Sequence, residues 1–199
     1  RNILKSNILK LGGRNMKVNL KPSTLFYPLP VLLIGTYDKE GNPDLRNAAW
    51  GGIYDTNKVI LSLSEAHQTT LNIQDNGYFS VSFATEDTVE VADYVGLVSK
   101  TTDKDKRKKA KLTIREGNFP CPLFRELPLT LECKLDHRDD NGNRIGEILE
   151  IVADDSILDE KGEVDIRKLK PIAYDPSKNK YYSGDKVLAD AFKIGFNLR

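Results

Sequence analysis

Leu45-Arg46-Asn47-Ala48-Ala49-Trp50-Gly51-Gly52, then Val59-Ile60-Leu61-Ser62-Leu63-Ser64, then Glu65-Ala66-His67-Gln68-Thr69-Thr70-Leu71-Asn72: these three runs within residues 45–72 decide how the chain folds. The first sets small residues beside an aromatic and so offers a flat, shallow surface. The second is β-branched and apolar in the manner of a buried strand. The third is a hydroxyl-rich turn opening onto a helix, where first-turn N–H groups can receive an anion. A flat ring with an anionic tail would satisfy both ends. The small residues also suit a strand at a tight barrel corner, and the hydroxyls also suit a helix cap. Capping and anion binding are compatible, because several amides are free at a helix start.

Upstream, the apolar run Pro30-Val31-Leu32-Leu33-Ile34-Gly35-Thr36-Tyr37 ends in the turn Asp38-Lys39-Glu40-Gly41-Asn42-Pro43 and reads as a buried strand. The chain then returns through residues 44–50 as its hairpin partner. Downstream, residues 69–75 suit a short helix closed by Asn76-Gly77, and Tyr78-Phe79-Ser80-Val81-Ser82-Phe83 alternates as a strand. Glu86 and Asp87 ahead of Val89, Val91, Ala92, Tyr94 and Val95 mark a helix running to about Leu97. Residues 99–111 hold six lysines and one arginine, a charge run expected as a solvated face around a short basic helix. Its leading pair, Ser99-Lys100, could reach an anion.

Residues 127–135 alternate, Asp139-Asp140-Asn141-Gly142-Asn143 is a strong turn, and residues 145–152 complete a long hairpin. Residues 164–170 suggest a short helix leading into Pro171-Ile172-Ala173-Tyr174. Tyr181-Tyr182-Ser183-Gly184 follows, then an apolar tail through Val187, Leu188, Ala191 and Phe192 whose spacing predicts a helix. Many strands with few short helices predict a mainly β fold, an antiparallel and Greek-key-like barrel, closed or nearly so. No G-x-G-x-x-G or Walker loop follows a strand, which argues against a Rossmann-type ligand site.

Hydrophobic residues at 39% and charged residues at 30% of 199 suit one globular domain, placed at residues 16–199. Residues 1–15 are set apart as an upstream extension or a remnant of cloning. They lack the apolar core and cleavage site of a secretory signal, and a cytoplasmic location is the expectation. A net charge of +1 gives no nucleic-acid footprint, and no apolar run approaches the roughly 20 residues of a membrane span. Cys121 and Cys133 have no zinc-type spacing and are expected reduced. There is no G-x-S-x-G elbow. The acid pairs Asp139-Asp140 and Asp154-Asp155 sit in turns, where acids are usually solvated, and His137 lies near a hairpin tip. His67 is either a hydrogen-bonded surface residue or a ligand contact.

Taken in order, several of these segments resemble the flavin reductase-like FMN-binding split barrels, flavoredoxin branch. They are the 30–36 strand with Asp38 and Gly41, Asn47-Ala48-Ala49-Trp50, Ser62-Leu63-Ser64, and the turn of His67, Thr69, Thr70 and Asn72-Ile73. Tyr78-Phe79-Ser80-Val81 and Tyr181-Tyr182-Ser183-Gly184 with Phe192 extend the resemblance over most of the chain from Met16 onward. It implies a split β-barrel homodimer with FMN near the subunit interface. Asn47, Ala48, Ala49 and Trp50 would border the isoalloxazine. Ser62, Leu63, Ser64, His67, Thr69 and Thr70 would line the ribityl phosphate end, with Ser99 and Lys100 approaching it and Phe192 packing near the ring from either subunit. Arg46 stands where the resemblance leads one to expect an apolar residue, and Gln68 where a basic one is common. The implied activity passes electrons from NAD(P)H or a protein donor through FMN to a second acceptor. A carrier without NAD(P)H activity and a flavin-free interaction barrel are the alternatives.

Overall fold

The apolar run near the N-terminus forms two strands, β1 (Leu29–Pro30) and β2 (Leu32–Tyr37). Positions 32–36 are all buried, so β2 is covered on both faces, which is why its sequence is continuously apolar rather than alternating. Leu32 and Ile34 join an inner cluster with Leu61, Ile73, Phe79, Val81 and Cys133. Leu33, with Val31, joins an outer one with Leu45, Val95, Leu112 and Phe124. The computed structural model describes residues 17–99, 103, 105–184 and 186–198. The extension expected at residues 1–15 and the expected anion contact Lys100 lie outside the described residues.

The chain continues through β3 (Pro43–Ala48), β4 (Gly51–Asp55), β5 (Lys58–Leu61), helix α1 (Gln68–Asn76), β6 (Tyr78–Phe83) and helix α2 (Val89–Leu97). Then come helix α3 (Lys106–Lys109), β7 (Ile114–Arg115), β8 (Leu123–Phe124), β9 (Leu129–Arg138), β10 (Arg144–Ala153), helix α4 (Ile166–Leu169), β11 (Ile172–Asp175) and β12 (Lys180–Ser183). Seven strands pair antiparallel in the order β3-β2-β6-β9-β10-β5-β4. Laid flat, the outer two of seven strands would stand roughly 29 Å apart. Yet β3 and β4 are consecutive, joined only by Ala49 and Trp50, and the step from Ala48 to Gly51 reaches about 11 Å at most. The sheet must therefore curl until its edges meet, leaving a split beside that link. Gly51 permits the meeting: a Cβ there would lie 2.7 Å from Leu32 Cδ1 and 2.9 Å from Leu61 Cδ2.

A second sheet, β1-β11-β12, is sewn to the first by backbone bonds from Ala84 N–H to the Val31 carbonyl (2.9 Å) and from Ile172 N–H to the Ala84 carbonyl (3.1 Å). Helix α1 ends at Gly77, whose φ of 71° supplies the left-handed C-cap. No helix among the described residues is long and apolar enough to cross a membrane.

Four expectations need correction. Residues 51–55 form a strand that the sequence hides, because Gly51-Gly52 has poor β propensity and four of the five residues are exposed, leaving no alternation. The following strand stops at Leu61, and residues 62–64 leave the sheet as a loop. The apolar tail is not a helix at residues 187–190, and only a short 3₁₀ turn, Ile194–Leu198, forms. Its apolar side chains stay exposed, and an amphipathic stripe with nothing to pack against gains little from helix formation. The basic run is not wholly solvated either: Lys106 is buried, its Nζ 3.3 Å from Asp44 Oδ1 and 2.6 Å from the Leu45 carbonyl. Both cysteines are free and buried, Cys133 within the inner cluster.

Lys106 thus pins α3 to the edge strand β3 through a charge pair closed off from water. Removing one member of such a pair leaves the other buried and uncompensated, which costs about 3–5 kcal/mol. Lys106→Ala is expected to lose stability of that order in urea unfolding, whereas Lys108→Ala, at an exposed position, should stay close to wild type.

Candidate functional site

A cavity of about 540 Å³ opens at the split, beside the Ala49-Trp50 link. Arg46, Asn47, Ala48, Ala49 and Trp50 form one wall. Asn47 is fixed by a bond from its Nδ2 to the Ala92 carbonyl (2.9 Å), and it fits against α2 only because residue 96 is glycine; a Cβ there would overlap the Asn47 side chain. Trp50 is 55% exposed, so its ring is not core, and its carbonyl accepts from Ser62 N–H (2.9 Å).

That bond holds the next wall, the loop Ser62, Leu63, Ser64 and His67. Leu63 packs against the inner cluster and leaves the flanking serines exposed. His67 is the N-cap of α1 but makes no side-chain cap bond, and its Nδ1 is buried with no hydrogen-bond partner. Burial, then the nearby Arg46 guanidinium, push the His67 pKa below the ordinary histidine value, so the ring is neutral at pH 7.

The opposite side comes from Asp93, Gly96 and Leu97 of α2 and from Tyr174, Asn179 and Tyr181 of the second sheet. Tyr181 donates its hydroxyl to Asp93 Oδ1 (2.7 Å), and burial together with that carboxylate raises its pKa well above the usual tyrosine range. Tyr174 donates to Asn179 Oδ1 (2.7 Å), and the two tyrosine rings lie 5.8 Å apart. Sequence reasoning did not place this wall. Its one available signal was the Tyr181-Tyr182 pair, whose alternation turns Tyr181 inward and leaves Tyr182 exposed.

The structure therefore gathers Asn47, Ala48, Ala49, Trp50, Ser62, Leu63, Ser64 and His67 around one cavity. Thr69, Thr70, Ser99 and Phe192 do not line it. Thr69 and Thr70 are buried, and the Thr70 hydroxyl donates to the Ser64 carbonyl (2.8 Å), shaping the loop from behind. Phe192 is 97% exposed at a positive φ of 62° and packs against nothing in this chain's cavity. Among the described residues no group of three His, Cys, Asp or Glu side chains is placed to hold a metal ion.

The loop is also braced from the far hairpin. Arg144, 1% exposed and at the start of β10, donates to Glu65 Oε1 (2.8 Å) and Oε2 (2.6 Å) and also to the Gly142 carbonyl. Arg138 Nε adds a bond to Glu65 Oε1 (3.0 Å). Arg144 first, and Arg138 second, draw the Glu65 pKa down to about 2.

The model of the flavin reductase like domain matches the chain over residues 24–179. Among solved structures, the chain is similar to a flavoredoxin of Desulfovibrio vulgaris (Miyazaki F), with 36% identity and a TM-score of 0.86, over 90% of this chain and 100% of that one. A flavoredoxin from Methanosarcina acetivorans is 26% identical with a TM-score of 0.83, over 93% and 100%. An FMN-binding domain of a flavin reductase-like enzyme from Shewanella baltica OS155, 21% identical with a TM-score of 0.72 over 81% and 89%, shares the fold. No curated protein matches the chain.

Two outcomes follow from the site's supports. The Glu65 carboxylate has a depressed pKa, so its stabilisation is present above the unfolded-state value of about 4.3 and is lost as pH falls toward 2. Glu65→Gln should melt lower than wild type at pH 7, and the gap should close on acidification through that window in a pH series of thermal melts. Gly96→Ala should displace Asn47 while leaving the far-ultraviolet circular dichroism of the fold unchanged, visible as shifted amide signals confined to α2 and β3.

Proposed function

The chain belongs to the flavin reductase-like domain family, and from that premise we propose that it is an FMN-binding oxidoreductase of the flavoredoxin type. The observation that carries this is the cavity at the split, lined by Asn47, Ala48, Ala49 and Trp50 and by Ser62, Ser64 and His67, whose buried Nδ1 has no hydrogen-bond partner among the described residues. Its volume of about 540 Å³ lies inside the roughly 300–1,000 Å³ range of small-molecule sites. The residues present fit the group. Asn47 to Trp50 would border the isoalloxazine, Ser62 and Ser64 would meet the ribityl hydroxyls, and His67 with the first-turn amides of α1 would face the phosphate.

Bound FMN would supply the redox chemistry, so no side-chain nucleophile or general base is required. The protein's part is to hold the ring and limit water around it. Neutral His67 can take or give a hydrogen bond at the polar end without adding charge. Tyr181, its proton held toward Asp93, presents a wall that does not ionise near neutral pH. Electrons would arrive from NADH, NADPH or a reduced protein and leave to a second acceptor. With no glycine-rich dinucleotide loop, a nicotinamide would bind chiefly by stacking on the ring.

The assembly proposed is a homodimer with the cavity near the interface. Trp50 in the link and Ile53 and Tyr54 on the adjoining edge strand β4 are 55%, 76% and 51% exposed, apolar side chains beside the cavity that a second copy could cover.

Purified protein reconstituted with FMN should retain flavin absorption through gel filtration and elute as a dimer. Anaerobic addition of NADH or NADPH should bleach that absorption. Bleaching by dithionite alone would assign the carrier role instead, and failure to retain flavin would overturn the proposal.

A further inference from the structure

Arg46 is the one residue of the cavity wall for which a flat ring gives no reason. Strand alternation puts it on the face of Ala48, which packs against the inner cluster, and opposite Leu45, which belongs to the outer one. It is half-buried, it lines the cavity, and it lies close enough to His67 to perturb that ring electrostatically. Among the described residues no carboxylate pairs with it and no carbonyl accepts from its guanidinium. A partly desolvated guanidinium gains from an anion brought within its reach, and the cavity it lines leaves room for one.

The surrounding residues show which anion. The loop leading into α1 carries Ser64, Glu65 and His67, and Gln68 opens the helix. Glu65 is committed to Arg144 and Arg138, and His67 is neutral at pH 7. Gln68 donates to Asn72 Oδ1 (2.8 Å) and does not line the cavity. A doubly charged group at the start of α1 would thus meet the positive end of the helix dipole but no formal cation from the described loop. Arg46 approaches that same corner from the edge strand, and its planar fork suits two oxygens of a phosphate.

We infer that Arg46 is the cation that receives the phosphomonoester of the flavin nucleotide, supplied from strand β3 because the turn at Gln68 does not supply one. This rests on the FMN-binding proposal and deepens it. Its consequence is a preference for FMN over riboflavin that depends on residue 46.

The test titrates the full-length apoprotein with FMN and with riboflavin, for wild type, Arg46→Met and Arg46→Lys. Arg46→Met should weaken FMN binding by roughly 10- to 100-fold, the range for losing a charged hydrogen-bond partner, and leave riboflavin within about threefold. Arg46→Lys should keep an intermediate FMN preference, and inorganic phosphate should compete with FMN in wild type but not in Arg46→Met. Equal losses for both flavins, or identical behaviour of the Met and Lys variants, would overturn the assignment. So would unchanged FMN affinity with weaker turnover of an anionic acceptor, which would give Arg46 to the second reactant. Wild type that binds riboflavin and FMN alike removes the inference but leaves flavin binding standing, whereas wild type that binds neither removes both.

Discussion

A link of two residues between the outer strands of a seven-stranded sheet is the constraint on which this architecture depends. Ala49 and Trp50 cannot span a flat sheet, so closure is enforced covalently rather than by edge pairing alone. Closure gives the sheet an inside, filled by Leu32, Ile34, Leu61, Phe79 and Val81. It also leaves β2 with an outside that must be covered, which α2 and the segment through Leu112 and Phe124 do. The join cannot be filled by side chains without forcing its edges apart. Small residues at 48, 49 and 51 answer that crowding, and the same smallness leaves room for a planar ligand.

The electrostatics of the site follow a similar economy. Charges that shape the backbone are spent in pairs away from the cavity: Lys106 on Asp44 under the edge strand, and Arg144 with Arg138 on Glu65 behind the loop. The cavity wall itself holds one carboxylate, Asp93, which accepts from the protonated Tyr181, and an uncharged His67. Arg46 is the cation of that wall, and among the described residues no carboxylate pairs with it.

Much of this was legible in the chain itself. Continuous apolarity at residues 31–34, alternation at residues 78–83 and the turn at residues 139–143 fix strands whose partners are physically forced. The first two walls could be read because they are contiguous in sequence. The third could not, since Asp93, Tyr174 and Tyr181 converge only through the docking of a helix and a second sheet. Strand β4 escaped notice because two glycines and a solvent-facing surface erase the period-2 pattern. The tail at residues 187–192 shows the converse failure, where apolar spacing suggests a helix but no surface among the described residues of this chain receives it. Lys106 looked like one more solvated lysine, and only its tertiary partner distinguishes it from Lys108.

The cavity also has two kinds of wall. Residues 46–50 and 62–67 are continuous with the barrel, while Tyr174, Asn179 and Tyr181 sit on a separate three-stranded sheet joined to it by a few backbone bonds around Ala84. The width of the opening is therefore set by how the second sheet and helix α2 pack on the barrel, not by hydrogen-bonded register within one sheet. A substitution in the β11–β12 hairpin would thus reshape one side of the cavity while the barrel side, with Arg46, Asn47 and His67, keeps its register.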